Sequence, residues 1–510
     1  MSVQLIRGRH ALVSSGHHLA SFEAAAVLRG GGNVIDAAVA GAAVLAVALP
    51  YACGLGGDLY LLYFDAATGR LHGLNSTGAA PAAADPARFA DGLPQAGPLS
   101  ITVPGMVAGW AEAVRRFGTR PLAQLLEPAI AAAEDGIPVH RAQYRNTRER
   151  AALLAADPGA ARVFLPGGAP QPEGALLRQP ECAATLRRIA AEGPDGFYRG
   201  PVARRIADHV AGAGGILTAA DMAAHAPFWQ EPIAAPFHGH DVATMPPNSW
   251  GLTLLLQLLE LAASDAAPGG AAFYLAGIAA RRNAYRAAAR AMGDAALTEA
   301  AARALLAEAI AGRAAAPAHA PGHVPAPPGG DTSVLVAMDA AGNAVSLIQS
   351  VSAPYGSGLV ADGTGVVLNN RLRGFNNNPA SPNCVGPGKR PAHTLTPAMV
   401  LRDGRAVMAI ATPGMAGQTC TLAQVLARLL AHREPLETAI AAPRWSVTPA
   451  GSPIVEDTMD TAVQVEIAAA VPEIKTAGSL TFGSVKAVAR DEDGLVAAAD
   501  FRRVAGASGW

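Results

Sequence analysis

The chain has 510 residues, of which 51% are hydrophobic and 15% are charged, a composition typical of a packed globular protein and unlike a disordered chain. The formal net charge is −1 and no basic or acidic block occurs, so neither a nucleic-acid partner nor a membrane partner is predicted. The four cysteines lie far apart in the chain, which indicates free thiols in a reducing compartment.

The first fifty residues predict two helices and no secretion signal. No signal-peptide pattern opens the chain, so we expect a cytoplasmic protein. The segment SFEAAAVLRGGGN is typical of a helix that starts at Ser21 and stops at the glycines. The most apolar run, residues 37–49, is shorter than a bilayer span and ends at Pro50. A buried helix is therefore predicted there.

Two short motifs, GLGGD and His238-Gly239-His240, resemble binding sites. The segment GLGGD, residues 54–58, lacks the GxGxxG spacing and precedes a strand, which predicts a structural turn before two strands joined near residues 67–69. Mainly helical patterns follow between residues 104 and 315. His238 and His240 have no third ligand nearby. We therefore predict no metal and no cofactor.

A proline-rich segment, residues 313–331, is predicted to be a mobile linker. After it, the sequence pattern changes from mainly helical to mainly strand. The next segment, TSVLVAMDAAGNAVSLIQS, alternates apolar residues around Gly342-Asn343 and predicts a β-hairpin. Further strands are predicted in GTGVVLNN, TPAMVLRDGRAVMAIAT and GSVKAVARDEDGLVAAAD, and helices in TCTLAQVLARLLAHR and PLETAIAAPR. Sheets faced by helices indicate an α+β architecture.

The junction between linker and hairpin, Asp331-Thr332, has the residues that self-cleavage needs. The Thr332 hydroxyl can attack the carbonyl carbon of Asp331, the acyl group then moves from nitrogen to oxygen, and water hydrolyses the ester. Cleavage frees the α-amine of Thr332, whose typical pKa of ~7.7–8.0 lets it accept the hydroxyl proton at neutral pH. The alternative explanation is that threonine commonly opens a β-strand.

The chain contains, in this order and over nearly its whole length, the segments SSGHHLASFEAAAVLRGGGNVIDAAVA, GPLSITVPGMVAGW, DTSVLVAMDAAGNAVSLIQS, VGPGKRPAHTLTPAMV and TPGMAGQ. Together they resemble the γ-glutamyltranspeptidase family of N-terminal-nucleophile (Ntn) hydrolases. The resemblance implies a four-layer αββα fold. It also implies self-cleavage into a large subunit, residues 1–331, and a small subunit, residues 332–510, which stay associated. The resemblance does not define the oligomeric state, and a homo-oligomer is one of the alternatives.

The same resemblance assigns chemical roles to four residues. Thr332 is implied as the nucleophile, and Ser350 occupies the position of a second hydroxyl near it. The N–H groups of Gly414 and Met415 are implied as the oxyanion hole, since donors aimed at the developing negative charge stabilise a tetrahedral intermediate. Met415 replaces a glycine of the family, which keeps the N–H but reshapes the pocket.

The positions that hold a γ-glutamyl group in the family differ in this chain. An arginine, an asparagine and paired serines are replaced, and the acidic position downstream of two asparagines is a glycine. The arginine position is Thr77, the asparagine position is Ser352, and the paired serines are His393 and Thr394. The acidic position is Gly374, while Arg371 and Arg373 take the places of a glutamine and an aspartate.

These changes predict a substrate with a carboxylate and no α-amine. A guanidinium binds a carboxylate well and repels an ammonium, and we expect no acidic residue near Arg371 or Arg373. The alternative is that both arginines point to solvent. We therefore predict a self-processing Thr amidohydrolase acting on a small carboxylate-bearing amide such as oxamate. The alternatives are a γ-glutamyltransferase or glutathione hydrolase, and an uncleaved family member without catalytic activity.

Overall fold

Two seven-stranded antiparallel sheets form the centre of the structure, a computed structural model that describes residues 2–312, 332–448 and 451–510. The strands of the first sheet are, in spatial order, Gly506–Gly509, Ala11–Ser15, Ser333–Asp339, Ala344–Ser350, Asp58–Asp65, Arg70–Ser76 and Phe228–Gln230. Those of the second sheet are Gln4–Gly8, Gly494–Ala499, Lys486–Asp491, Arg405–Ala411, Ala398–Arg402, His240–Thr244 and Ile233–Phe237.

Helices and three smaller sheets surround this centre. The helices are His18–Arg29, Val34–Ala48, Pro50–Cys53, Met106–Phe117, Leu122–Asp135, Arg141–Glu149, Ala151–Ala155, Pro158–Phe164, Pro180–Glu192, Asp195–Tyr198, Gly200–Gly212, Ala219–Ala223, Gly251–Leu261, Ala271–Ala288, Ala295–Ile310, Gln418–Leu426, Leu436–Ala441 and Thr461–Ala470. The smaller sheets pair Val360–Ala361 with Val366–Val367, Ile137–Pro138 with Leu176–Leu177, and Pro453–Glu456 with Trp445–Val447 and Lys475–Ala477.

Both faces of each large sheet are buried, because alternate side chains of a strand enter different apolar clusters. Val334 and Val488 lie in a cluster shared by the two sheets. Leu335, on the opposite face of its strand, packs in a cluster with the helix Val34–Ala48. Ala487 lies in a third cluster with the helices that cover the second sheet. Each large sheet therefore contributes side chains to a cluster shared with the other sheet and to a cluster that also contains helical residues.

The hairpin and the buried helix are where the sequence predicts them. The strands Ser333–Asp339 and Ala344–Ser350 pair around the Gly342-Asn343 turn. Every residue of the helix Val34–Ala48 is buried, and Asn33 caps its start by accepting N–H groups with its side chain. Among the described residues, no helix combines the length and apolar character needed to cross a bilayer.

Other predicted elements need correction. The first helix begins at His18 and not at Ser21, because the His17 ring accepts the N–H of Leu19 and caps the helix earlier. The mainly helical region between residues 104 and 315 also contains three strands of the large sheets. The segment GTGVVLNN forms only the short strand Val366–Val367. The predicted linker, residues 313–331, lies outside the described residues.

The two histidines considered as metal ligands lie at a tight turn. His238 has a positive φ of 46°, and the ring of His240 contacts the carbonyl oxygen of His238 at 3.0 Å. Within the described ranges, no group of three or more His, Cys, Asp or Glu side chains could hold a metal ion. All four cysteines are buried.

Candidate active site

One end of the first sheet brings three of the singled-out positions and Asp58 into a single row. The strand registers place Thr332, Ser350, Asp58 and Thr77 side by side on neighbouring strands. Because adjacent strands are about 4.8 Å apart, Thr332 and Asp58 are separated by about 10 Å. Long side chains can meet across such a row.

Thr332 is buried, with 4% of its surface exposed, and directs its side chain toward the second sheet, as Val334 two residues later does. Beside it lies a cavity of about 20 Å³, lined among others by Gly16, Tyr51, Ser333, Pro413, Lys486 and Arg503. A cavity of that size holds about one water molecule. Neither Arg371 nor Arg373 is among the described residues that line it.

The turn after the strand Arg405–Ala411 reaches the same cavity through Pro413. Gly414 has a φ of 133° and Met415 a φ of 52°, a left-handed backbone that suits glycine and is uncommon for methionine. The N–H groups of Gly414 and Met415 donate to no other residue in the described part of the chain. Both donors therefore remain available to a bound group.

Ser350, in the row beside Thr332, forms a hydrogen bond with Ser352. The Ser350 hydroxyl oxygen accepts the N–H of Ser352 at 2.8 Å, which holds Ser352 at a φ of 83°. Both side chains are fully buried. The Ser352 hydroxyl has no hydrogen-bond partner within the described ranges, so a substrate could use it.

Asp58, the last residue of GLGGD, was not predicted as a site residue, because that segment predicts a structural turn. The Asp58 carboxylate is fully buried and accepts the N–H of Gly78 at 2.7 Å and His393 Nε2 at 3.1 Å. Arg371 Nε lies 3.4 Å away, close enough for an ion pair although its N–H is not aligned for a hydrogen bond. The expectation of no acidic residue near Arg371 is therefore wrong. The available signal was a charged residue opening an otherwise apolar strand.

His393 is fixed in one neutral form. Its Nδ1 accepts the N–H of Leu395 at 3.3 Å, so Nε2 carries the proton and donates to Asp58. Burial, together with the charge of Arg371, lowers the pKa of His393 to about 4. The neighbouring Thr394 is buried, and its hydroxyl has no partner among the described residues.

Arg371 and Arg373 are both buried, at 1% and 6% exposure, which excludes the alternative that they point to solvent. Burial lowers the pKa of Arg371, and the nearby Asp58 carboxylate partly opposes this effect. Burial and the charge of Arg371 lower the pKa of Arg373 to about 10. Arg371 Nε and Nη2 donate hydrogen bonds to no described residue. A buried guanidinium with free donors suits an anionic ligand.

Thr77, by contrast, has its hydroxyl already engaged. It donates to Asn75 Oδ1 at 2.8 Å and accepts from Asn248 Nδ2 at 3.2 Å. Asn248 Oδ1 also accepts the Tyr60 hydroxyl at 2.7 Å. This buried network, which no local pattern predicts, leaves the Thr77 hydroxyl bound to its neighbours.

Comparison with known proteins explains this arrangement of strand end, turn and buried charges. The family model described as Gamma-glutamyltranspeptidase matches residues 20–510. The chain belongs to the γ-glutamyltranspeptidase family. Its antiparallel sheets and covering helices are thus the mixed α/β structure of an Ntn-type amidohydrolase or γ-glutamyltransferase-like enzyme.

Members of the family with different named activities are similar to this chain. The glutathione hydrolase-like YwrD proenzyme of Bacillus subtilis is 35% identical over 447 residues, which cover 86% of this chain and 85% of that protein. The oxamate amidohydrolase proenzyme of Klebsiella pneumoniae is 35% identical over 459 residues, covering 86% and 85%. The crystal structure of a cephalosporin acylase from Bacillus halodurans matches with a TM-score of 0.91 and 29% identity, over 99% and 97%.

Proposed function

We propose that this family member is a self-processing Thr amidohydrolase that hydrolyses a small carboxylate-bearing amide, with Thr332 as its nucleophile. The observation that carries the proposal is Arg371, a buried guanidinium that pairs with Asp58 in the row of Thr332 and whose Nη2 donates to no described residue. An anionic substrate group bound to Arg371 would lie at the same end of the sheet as Thr332. The relatives named as proenzymes support processing.

In the proposed processing step, the Thr332 hydroxyl oxygen attacks the carbonyl carbon of Asp331. The C–N bond to Thr332 breaks as the ester forms, and water then releases the Asp331 carboxylate and restores the hydroxyl. Asp331 itself lies outside the described residues. The support on the product side is the buried strand that Thr332 precedes, which hydrogen-bonds to a strand on each side.

The same strand pairing explains why the two proposed subunits would stay together. Ser333–Asp339 pairs with Ala11–Ser15, and Ala344–Ser350 pairs with Asp58–Asp65. Both partners belong to residues 1–331, and Gly506–Gly509 also pairs with Ala11–Ser15, so this sheet crosses the proposed subunit boundary three times. We interpret the three apolar clusters as the spaces between the four layers of an αββα sandwich.

In the proposed catalytic cycle, the free α-amine of Thr332 accepts the hydroxyl proton while the oxygen attacks the substrate amide carbon. The N–H groups of Gly414 and Met415 would stabilise the negative oxygen of the tetrahedral intermediate. The leaving amine takes the proton from the α-amine, and an acyl ester remains on Thr332. Water attacks this ester in the same way and releases the carboxylic acid product.

The buried ion pair of Asp58 and Arg371 affects which substrate charge the site can bind. Asp58 offsets part of the Arg371 charge, but its oxygens already accept the N–H of Gly78 and contact His393 and Arg371. An ammonium would compete for an acceptor that these donors occupy. The hydroxyls of Ser352 and Thr394, by contrast, are free to donate to a carboxylate.

Replacing Arg371 by Gln is expected to reduce kcat/KM for oxamate and succinamate by roughly tenfold to a hundredfold. The reason is the loss of a charge-assisted hydrogen bond of ~1.5–3 kcal/mol. A neutral amide should be affected much less, and self-cleavage should continue. Arg428→Gln, which changes a buried arginine paired with the remote Glu434, serves as the matched control. Equal losses for anionic and neutral amides would show that Arg371 is structural.

Ammonia release from the unaltered enzyme separates the proposal from its alternatives. Oxamate and succinamate should be hydrolysed faster than glutamine, because the α-amine of glutamine meets a buried cation. A preference for glutamine or glutathione would instead identify a γ-glutamyl enzyme. A single band on a denaturing gel, with no ammonia released from any of these amides, would identify an uncleaved member without activity.

A further inference from the structure

Lys486 approaches Thr332 from the second sheet. It opens the strand Lys486–Asp491, and its side chain lies on the same face as Val488, which packs in the cluster between the two sheets. Thr332 faces that space in the same way as Val334. Both Lys486 and Thr332 line the cavity of about 20 Å³, which holds about one water molecule.

The position of Lys486 is set by backbone and hydroxyl oxygens. Only 1% of Lys486 is exposed, and its Nζ donates to the Ser484 hydroxyl oxygen at 2.7 Å and to the Ser484 carbonyl oxygen at 3.0 Å. Arg503 lines the same cavity and donates from Nε to the carbonyl oxygen of Phe482 at 3.1 Å. The loop 482–484 thus holds two cationic groups beside Thr332.

The other charged and titratable groups around this cavity do not make its surroundings negative. Tyr51 is the remaining titratable side chain among the described residues of the cavity wall, which include no carboxylate. Asp58 lies two strands away along the row and is paired with Arg371. Asp500, next to the start of the Lys486 strand, is bound by Arg444 and Arg502. The described surroundings of the Thr332 amine are therefore positive.

We propose that Lys486, with Arg503, keeps the α-amine of Thr332 in its neutral, proton-accepting form. The inference rests on the proposed function, since self-cleavage creates this amine. An ammonium at Thr332 would be repelled by the two neighbouring cations, whereas the neutral amine would not. A neutral amine is the form that can take the hydroxyl proton. Lys486 is thus a positioning residue that acts through the amine.

The test is the pH profile of kcat/KM for amide hydrolysis by the processed enzyme. Lys486→Met, which keeps the length of the side chain and removes its charge, should move the acidic limb to higher pH by about one unit. Lys486→Arg should keep the wild-type midpoint, because it restores the charge. Arg503→Gln should shift the limb in the same direction. A merely structural role would lower the rate at every pH without moving the midpoint, and that result overturns the proposal.

A second readout does not depend on activity. The pH dependence of acylation of the small-subunit N-terminus by an amine-reactive ester, followed by mass spectrometry, reports the amine directly. Its midpoint should rise in Lys486→Met, and an unchanged midpoint would refute the proposal. A Lys486→Met chain that stays uncut also counts against it, because the precursor has no free amine to act on. If the wild-type chain itself stays uncut or inactive, the proposed function fails instead.

Discussion

Replacing Thr332 by Ala is expected to leave one uncut chain without amidase activity. The substitution removes the oxygen that would attack Asp331, so no free α-amine forms, and it also removes the oxygen that would attack the substrate. A denaturing gel reports the cleavage, and ammonia release from oxamate reports the activity. The fold should persist, because the buried strand that follows keeps all of its pairing partners.

Two further variants sharpen this test. Thr332→Ser keeps the hydroxyl and should still cleave, although more slowly. Ser333→Ala removes the adjacent buried hydroxyl, which faces the same cavity, and should cleave like the wild type. Two fragments from Thr332→Ala would refute the assignment of the nucleophile. Loss of cleavage in Ser333→Ala would move the nucleophile by one residue.

Replacing Asp500 by Asn is expected to cost about 3–5 kcal/mol of folding free energy, because it leaves the buried Arg444 without its carboxylate, while Arg502 keeps only Glu456. Asp500 Oδ2 lies 2.8 Å from Arg444 Nη2, and Oδ1 lies 3.2 Å from Arg502 Nη1, with all three side chains almost fully buried. Denaturant unfolding of the variant measures the loss. Asp491→Asn, which removes a partly exposed partner of Arg7, is the matched control and should cost about 0–1 kcal/mol.

The contribution of Asp500 should also depend on pH. Burial alone would raise the pKa of Asp500, but the charges of Arg444 and Arg502 and two backbone N–H groups outweigh it and lower the pKa below its ordinary value. Because the folded-state pKa is lowered, the stabilisation is present above the unfolded value, about 3.9, and is lost as the pH falls through the folded value. The wild type should therefore lose stability below about pH 4, and the Asn variant should lose less there.

The same network should affect the active site. Arg444 Nη1 donates to the carbonyl oxygen of Gly483 at 2.7 Å, and a Cβ added to Gly414 would lie 3.4 Å from Gly483 Cα. The loop around Gly483 also holds Lys486 through Ser484. Asp500→Asn should consequently lower kcat even below the temperature at which it unfolds. Unchanged kcat would mean that the loop keeps its position without the network.

Local sequence was enough to predict the elements nearest to Thr332. The alternation in Val334–Ile348 defines a hairpin because both strands are neighbours in the chain and their turn has a strong signature. The helix Val34–Ala48 was equally clear, since an unbroken apolar run has to be buried. The strand Phe228–Gln230 was missed because it is short and pairs with residues far away in the chain. The strand Ile233–Phe237 was missed because its partner His240–Thr244 joins the sheet through the distant strand Ala398–Arg402.

The sequence by itself therefore determined the family, the hairpin and the place of Thr332 at its start, since these depend on contiguous residues. Only the tertiary structure decided which charges surround Thr332. Strand register brings Asp58 to the row of Ser350, and the packing of two sheets brings Lys486 to Thr332 from a strand more than a hundred residues away. The acidic neighbour of Arg371 was not predicted because Asp58 lies in a distant segment, and no local pattern records such a long-range pairing.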